Sequence, residues 1–338
     1  DLTVTYDVTD NKQLGAGNYT LTVTGNGNFE GSATADWSIA KAKLTITANN
    51  NSITYGDVPA ANGVTGTGFV SSESIEDLSG ELTYSYNYEQ FGNVGIYKIT
   101  PSGVTSNNYE ITFADGTLTV NAKDITVTAD AVSKTYGDAD PKLTYKVEGL
   151  VNGDELTGEL KRVAGENVGD YAIEQNTLTA GNNYRLAYTG AKLTIKAKAI
   201  TAADVKLNGS LTYNGKEQTQ AITVTEGITY EVTGNKATNV GTYELTVKGT
   251  GNYTGSVTLD WTITKAKLTI TADSKVIYIG EKLPTLTYTV SGLVGGDKLT
   301  KEPALTTNAD ADQAGSYTIT VANADAGMNY AITYVGGT

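Results

Sequence analysis

Residues 17–47 align without a gap to residues 241–271, a shift of 224. Of the 31 positions, 21 are identical, including Asp36-Trp37 with Asp260-Trp261 and the whole of 41–47 with 265–271. Identity at that level marks an internal duplication, and a duplicated chain folds as a string of units rather than around one large core. Between the copies, two diverged units carry Tyr55-Gly56-Asp57 and Tyr136-Gly137-Asp138, and a third after the second copy carries the altered form Tyr278-Ile279-Gly280-Glu281. Two unit types are therefore expected to interleave: type A, with Asp-Trp, and type B, with Tyr-Gly-Asp. The order reads A over 1–40 (incomplete), B over 41–121, B over 122–198, A over 199–264 and B over 265–338, the last without its final strand. Both ends are expected to fall inside a unit of a longer repeating chain.

Two further landmarks recur in every unit. The first is Gly-x-Tyr, with Tyr19, Tyr97, Tyr171, Tyr243 and Tyr317; the second is an Asn-aromatic pair at Asn28-Phe29, Asn108-Tyr109, Asn183-Tyr184, Asn252-Tyr253 and Asn329-Tyr330. A closing strand with apolar residues two apart follows in four units: Trp37 with Ile39, Leu118 with Val120, Leu193 with Ile195, and Trp261 with Ile263. Period-two alternation such as Ile125, Val127, Ala129, with Thr and Lys between, predicts strands with one buried and one wet face. Breaks at Gly, Asn and Asp, as in Asn152-Gly153-Asp154, are turn signals. Six or seven short strands per unit predict an all-β tandem array of small Ig-like sandwiches forming an extended rod, with a β-grasp unit as the alternative. Helical pattern is confined to single turns at 73–78 and 154–156, and the short strand-like linkers predict stacked rather than freely jointed units.

The residues that are absent narrow the chemistry. There is no cysteine and no histidine in 338 residues, which removes disulfides, thiolate nucleophiles, imidazole ligands and the usual neutral-pH general base. A net charge of -13 repels phosphate backbones and anionic lipid, so neither nucleic acid nor membrane is expected as a partner. No apolar run approaches the length of a bilayer span, and any leader or anchor is expected to lie outside these residues.

The type B pattern extends through Asp140-Pro141, Leu143-Thr144-Tyr145, Gly149-Leu150-Val151, Gly153-Asp154, Val168-Gly169-Asp170-Tyr171 and Asn183-Tyr184. In this it resembles the MBG domain of bacterial surface proteins and adhesins. The first B unit departs from the pattern by what reads as an insertion at 71–74 and the loss of a clear Gly-Asp, and the third by Ile279. Type A is similar to the Ig-like repeats found beside such domains. The resemblance implies an extracellular protein, attached to a bacterial wall or outer surface, whose repeats space a functional head from the cell; it supplies no catalytic residues.

Two readings attach to most of the conspicuous residues. The Gly-x-Tyr tyrosines form either a sugar-stacking ladder or, as the favoured expectation, a tyrosine-corner-like device with each hydroxyl on a backbone group. Trp37 and Trp261 are expected in sandwich core or inter-unit packing. Asp138, Asp140, Asp310 and Asp312 resemble fragments of calcium sites, but no complete calcium loop is present and solvated turns are the default; no cofactor is otherwise expected. The function expected is a structural stalk or spacer whose partners are the neighbouring repeats. The alternatives are a module recognising host glycan or protein, and a self-assembling filament or lattice subunit joined by β-strand addition. No enzyme is expected.

Overall fold

A computed structural model describes residues 4–338, so Asp1, Leu2 and Thr3 of the first type A segment lie outside the described residues. By contact the chain divides into two compact units. One comprises Asp1–Ala131, Lys142–Val163 and Ala172–Lys192; the other comprises Val132–Pro141, Ala164–Tyr171 and Leu193–Thr338. Among the described residues the helical elements are two short 3-10 turns, Ile75–Asp77 and Ala202–Asp204. Everything else that is regular among the described residues is strand, and none of their helical turns crosses a sheet as a β-grasp would require. The first turn falls within 73–78, where Ser74 caps it; the second was not legible, and residues 154–156 form no helix.

In the first unit, segment 41–121 makes two sheets. Ala42–Ala48 lies antiparallel to Val64–Thr67 and parallel to Tyr109–Ala114. After Asn49-Asn50 the chain changes sheets: Asn51–Thr54 runs parallel to Gly116–Asn121, which pairs antiparallel with Gly95–Thr105, itself paired with Ser79–Tyr86. The alternating residues Leu44, Ile46 and Ala48 face inward from one sheet and Ile99, Leu118 and Val120 from the other, all at most 2 % exposed. The intervening Thr45 and Lys43 are exposed. Removing those aliphatic side chains from water is the main source of stability in a chain without disulfides, at about 1.5–3 kcal/mol for each fully buried side chain. The same three-stranded arrangement recurs in this unit around Lys123–Ala129, flanked by Tyr145–Glu148 and Tyr184–Thr189.

In the second unit it recurs around Ala266–Ala272, flanked by Tyr288–Ser291 and Tyr330–Val335. There Val132–Thr135 also runs parallel to Ala191–Lys196 through Leu193 and Ile195. Segment 199–264 carries a four-stranded sheet ordered Leu211–Thr212, Ser256–Thr264, Gly241–Gly249, Tyr230–Thr233, with Val205–Asn208 and Ala221–Val224 paired separately. Its hairpin and that of the first copy share one register: Tyr19 faces Trp37 as Tyr243 faces Trp261. The rings sit at centroid distances of 5.2 and 5.0 Å.

Trp261 is core, 2 % exposed, with its indole N–H donating to the Gly234 carbonyl at 3.0 Å. Trp37 is only half-buried, and its N–H finds no acceptor among the described residues. Trp261 belongs to one buried cluster with Val205, Leu245, Val247 and Ile263.

Candidate functional site: a clasp between successive repeats

The five Gly-x-Tyr tyrosines all turn back on their own chain. Their hydroxyls donate to the carbonyl four residues earlier: Tyr19 to Gly15 at 2.7 Å, Tyr97 to Asn93 at 2.8, Tyr171 to Asn167 at 2.7, Tyr243 to Asn239 at 2.6 and Tyr317 to Gln313 at 3.2. The rings are half-buried, not solvent platforms. Each bond stiffens the short loop that precedes the strand, because a phenol with one flat, two-torsion side chain gives up little freedom when it is anchored.

That loop is where the next repeat takes hold. The side-chain carbonyl of Asn183 accepts the Val94 N–H at 2.9 Å, and its amide donates to Asn93 Oδ1 at 3.0 Å. Asn252 does the same to Val168 and Asn167 at 2.8 and 2.9 Å, and Asn329 to Val240 and Asn239 at 3.0 and 3.2 Å. Asn108 accepts from Ala16 N–H at 3.0 Å, but Gly15 stands where the others have Asn and offers no side chain for the second bond. An amide side chain is suited to this because it satisfies one donor and one acceptor at once, without charge.

Beside Asn183, Asn252 and Asn329 the following tyrosine meets the first tyrosine of the preceding repeat, whereas Tyr109, after Asn108, packs on Phe69 of its own repeat. Tyr55, of the Tyr-Gly-Asp motif, is 3 % exposed and packs edge-on against Tyr184 with ring centroids 5.2 Å apart. Both hydroxyls donate to Asp154 Oδ2, at 2.8 and 2.7 Å, while the Tyr184 hydroxyl accepts the Val151 N–H at 3.1 Å. In the second unit Tyr213 and Tyr330 repeat the pattern on Asp297 Oδ2, at 2.8 and 2.7 Å, with Val294 N–H as donor to Tyr330. Tyr136 meets Tyr253 at 5.6 Å without a carboxylate between them.

Burial pushes the Tyr184 phenol up to about 12, and it raises Tyr55 and Tyr330 in the same direction. Tyr213 is raised first by its bond to Asp297 and then by burial. Both effects disfavour a second negative charge beside the carboxylate.

Residues 71–74, expected as an insertion, are instead the same turn. Ser71 has φ +52° where Asn152 has +59° and Gly295 +62°. Val70 N–H donates to the Tyr109 hydroxyl, and Glu73 accepts from that hydroxyl in the place of Asp154 and Asp297. A glutamate one methylene longer and a Ser-Ser turn disguised the motif in the sequence.

Close backbone approach completes the clasp. A Cβ on Gly56 would meet Val151 Cγ2 at 3.1 Å, and one on Gly215 would meet Gly295 Cα at 2.7 Å. Around the second-unit clasp a single cluster of buried side chains runs from Leu245, Trp261 and Ile263 through Tyr213 to Ala266, Leu268 and Tyr330. A smaller one gathers Tyr55, Ile125 and Tyr184 in the first unit.

The third member of the Tyr-Gly-Asp motif serves its own turn. Asp57 Oδ2 accepts Thr54 N–H at 2.9 Å and Asp138 Oδ2 accepts Thr135 N–H at 3.3 Å; Glu281 does the same for Tyr278 at 2.8 Å, one position along because of Ile279. The calcium candidates have protein partners. Asp140 pairs with the buried Lys134 ammonium at 2.7 Å, the Asp138 carbonyl accepts from the same ammonium, and Asp310 Oδ1 accepts Asp312 N–H. Among the described residues no group of three or more acidic side chains is placed to hold a metal ion.

The MBG domain (YGX type) family model matches residues 44–119, 125–194 and 268–338, roughly two thirds of the chain. The chain belongs to the MBG (YGX type) family. Each matched stretch contains a Tyr-Gly or altered Tyr-Ile-Gly turn, and in two of them its tyrosine, Tyr55 or Tyr136, meets the Asn-Tyr tyrosine of the next repeat. No curated protein matches the chain.

Among solved structures, the human desmocollin-1 ectodomain is 9 % identical over 90 % of this chain and 82 % of its own, with a TM-score of 0.18. Drosophila N-cadherin EC1-4 is 9 % identical over 73 % and 83 %, also at 0.18. These likenesses are too slight to carry an inference. No helix of the described MBG repeats is long and apolar enough to cross a membrane.

Proposed function

We propose that this chain is a spacer segment of a large secreted bacterial surface adhesin or fibre, in which interleaved Ig-like and MBG units, divided at 40/41, 121/122, 198/199 and 264/265, hold a functional head away from the cell. The observation that carries this reading is the recurrence of one clasp, an asparagine on the preceding Gly-x-Tyr loop and a tyrosine pair beside it, at Asn183, Asn252 and Asn329. A joint that is hydrogen-bonded on both partners and repeated with the sequence period serves to stack units in a fixed order, and fixed stacking is what a spacer needs.

The tyrosines that a glycan-binding reading would use have their hydroxyls committed to backbone carbonyls, which weighs against them as a ligand platform. The absence of histidine and cysteine supports a non-enzymatic role. Small-angle scattering of the 338-residue chain, in calcium and in chelator, tests the proposal. An elongated particle with the same maximum dimension in both is expected, and a compact particle in calcium and chelator alike would sink it.

A further inference from the structure

The tyrosine pair at the joint between segments 41–121 and 122–198 sets two oxidisable rings on one base. Tyr55 and Tyr184 are 3 and 8 % exposed, and their rings meet edge-on at 5.2 Å with an interplanar angle of 73°. Both hydroxyls donate to Asp154 Oδ2, at 2.8 and 2.7 Å. The ring ends that carry the hydroxyls therefore converge on a single atom. With them come the carbons ortho to each hydroxyl, where a phenoxyl radical holds much of its unpaired spin. Tyr213 and Tyr330 stand in the same way on Asp297 Oδ2.

Taking one electron from a phenol requires a place for its proton. Burial keeps the Tyr184 phenol protonated up to about 12 and moves Tyr55 in the same direction. Near neutral pH neither ring is a phenolate, so the electron leaves readily only as the proton passes to a base already hydrogen-bonded to it. Asp154 is that base for both rings, and being half-buried it can hand the first proton to water before taking the second. Other close tyrosine pairs lack this arrangement. Tyr88 and Tyr97 meet at 4.9 Å, but the Tyr97 hydroxyl donates to the Asn93 carbonyl and the Tyr88 hydroxyl finds no acceptor among the described residues. Tyr136 and Tyr253 meet at 5.6 Å with no carboxylate between them.

We propose that Tyr55 and Tyr184 are a modification site: a one-electron oxidant couples them into a dityrosine that covalently joins successive repeats, with Asp154 as proton acceptor, and Tyr213 and Tyr330 couple likewise on Asp297. Each phenol gives one electron to the oxidant and one proton to the carboxylate, which releases it to water. The two phenoxyl radicals form one carbon–carbon bond between ortho carbons, and the hydrogens on those carbons shift to the oxygens, restoring both phenols. The net change is the loss of two electrons and two protons. Burial selects the partner, because a radical enclosed at the joint has the other ring as its neighbour, whereas Tyr278, 79 % exposed, is open to other chains. In a chain without cysteine, such a bond ties together residues far apart in sequence, as a disulfide does elsewhere.

The test irradiates the intact 338-residue chain, in dilute solution, with tris(bipyridyl)ruthenium(II) and persulfate, which generate a one-electron oxidant in place. Cross-links in the monomer band are then mapped by digestion and mass spectrometry. A peptide linking Tyr55 to Tyr184, lighter than its two halves by two hydrogen atoms, is expected, and Tyr55→Phe is expected to abolish it. Asp154→Asn keeps a hydrogen-bond acceptor of the same shape but no base. It is expected to lower the yield of that link about tenfold or more, while the Tyr213–Tyr330 link in the same sample keeps its yield. The proposal is overturned if exposed tyrosines couple and neither joint does, or if Tyr136 and Tyr253 couple as readily as Tyr55 and Tyr184. It is overturned equally if Asp154→Asn leaves the link unchanged or lowers the links at both joints alike.

Discussion

The Tyr55 hydroxyl lies 2.8 Å from Asp154 Oδ2 although 99 residues separate them, and the Tyr184 hydroxyl shares the same oxygen at 2.7 Å. One carboxylate oxygen thus receives a donor from each of two successive repeats. Tyr55→Phe and Asp154→Ala are each expected to cost about 1–2 kcal/mol, and the double variant less than the sum, with a coupling of about 1 kcal/mol. Chemical denaturation of the four proteins completes the cycle. Strict additivity would mean that the contact contributes nothing to the joint.

The clasp tyrosines also set a response to alkali. Their folded-state pKa values lie above that of a free phenol near 10, with Tyr184 up to about 12, so the folded chain holds these protons longer than the unfolded chain. The stability they contribute is fully present below pH 10 and is lost as the pH rises from there through about 12. Tyrosinate absorbance should show a late-ionising fraction that disappears in denaturant. Titration of every tyrosine in a single step near pH 10 would contradict the burial described.

Two glycines of equivalent turns should respond differently to a methyl group. Gly137 has φ +86° but open space around its Cβ position, so Gly137→Ala costs only the left-handed strain, about 1 kcal/mol. Gly215, at φ +77°, would in addition drive its Cβ to 2.7 Å from Gly295 Cα, backbone against backbone. Thermal melts of the two variants should show a several-fold larger loss for Gly215→Ala. Similar losses would place Gly215 outside the joint.

Lys134 is a buried ammonium held by Asp140 and Glu166, both at 2.7 Å, at a position where the repeat before it has Ile53. An ion pair at a site built for an aliphatic side chain seldom stabilises more than that side chain would. Lys134→Ile should leave the denaturation midpoint unchanged or raise it. Asp140→Asn combined with Glu166→Gln should lower it, because the ammonium then stays buried without a counter-charge. A lowered midpoint for Lys134→Ile would show that the ion pair outweighs apolar packing here.

What could be read from the sequence and what could not divide along the range of the interactions. The strand pattern of Leu44, Ile46 and Ala48 and the turn at Gly56-Asp57 are governed by local alternation and turn chemistry. Period two and glycine's freedom at positive φ act within a few residues, and a sequence displays them directly. The duplication of 17–47 at 241–271 is likewise a property of the string alone.

The role of Asp154, Asp297 and Glu73 was hidden, because an acid in a turn looks like any solvated acid until a tyrosine distant in the sequence, 99 residues away for Asp154, 84 for Asp297 and 36 for Glu73, is laid against it. Asn93, Asn167 and Asn239 went unnoticed for the same reason, although each stands two residues before the glycine of a Gly-x-Tyr. By itself the sequence determined a β-sandwich repeat with stiff tyrosine-anchored loops. Only the tertiary structure decided that those loops, with the Tyr-Gly tyrosine, are where each repeat grips the next, because which polar groups satisfy one another in a buried joint depends on distance through space and not along the chain.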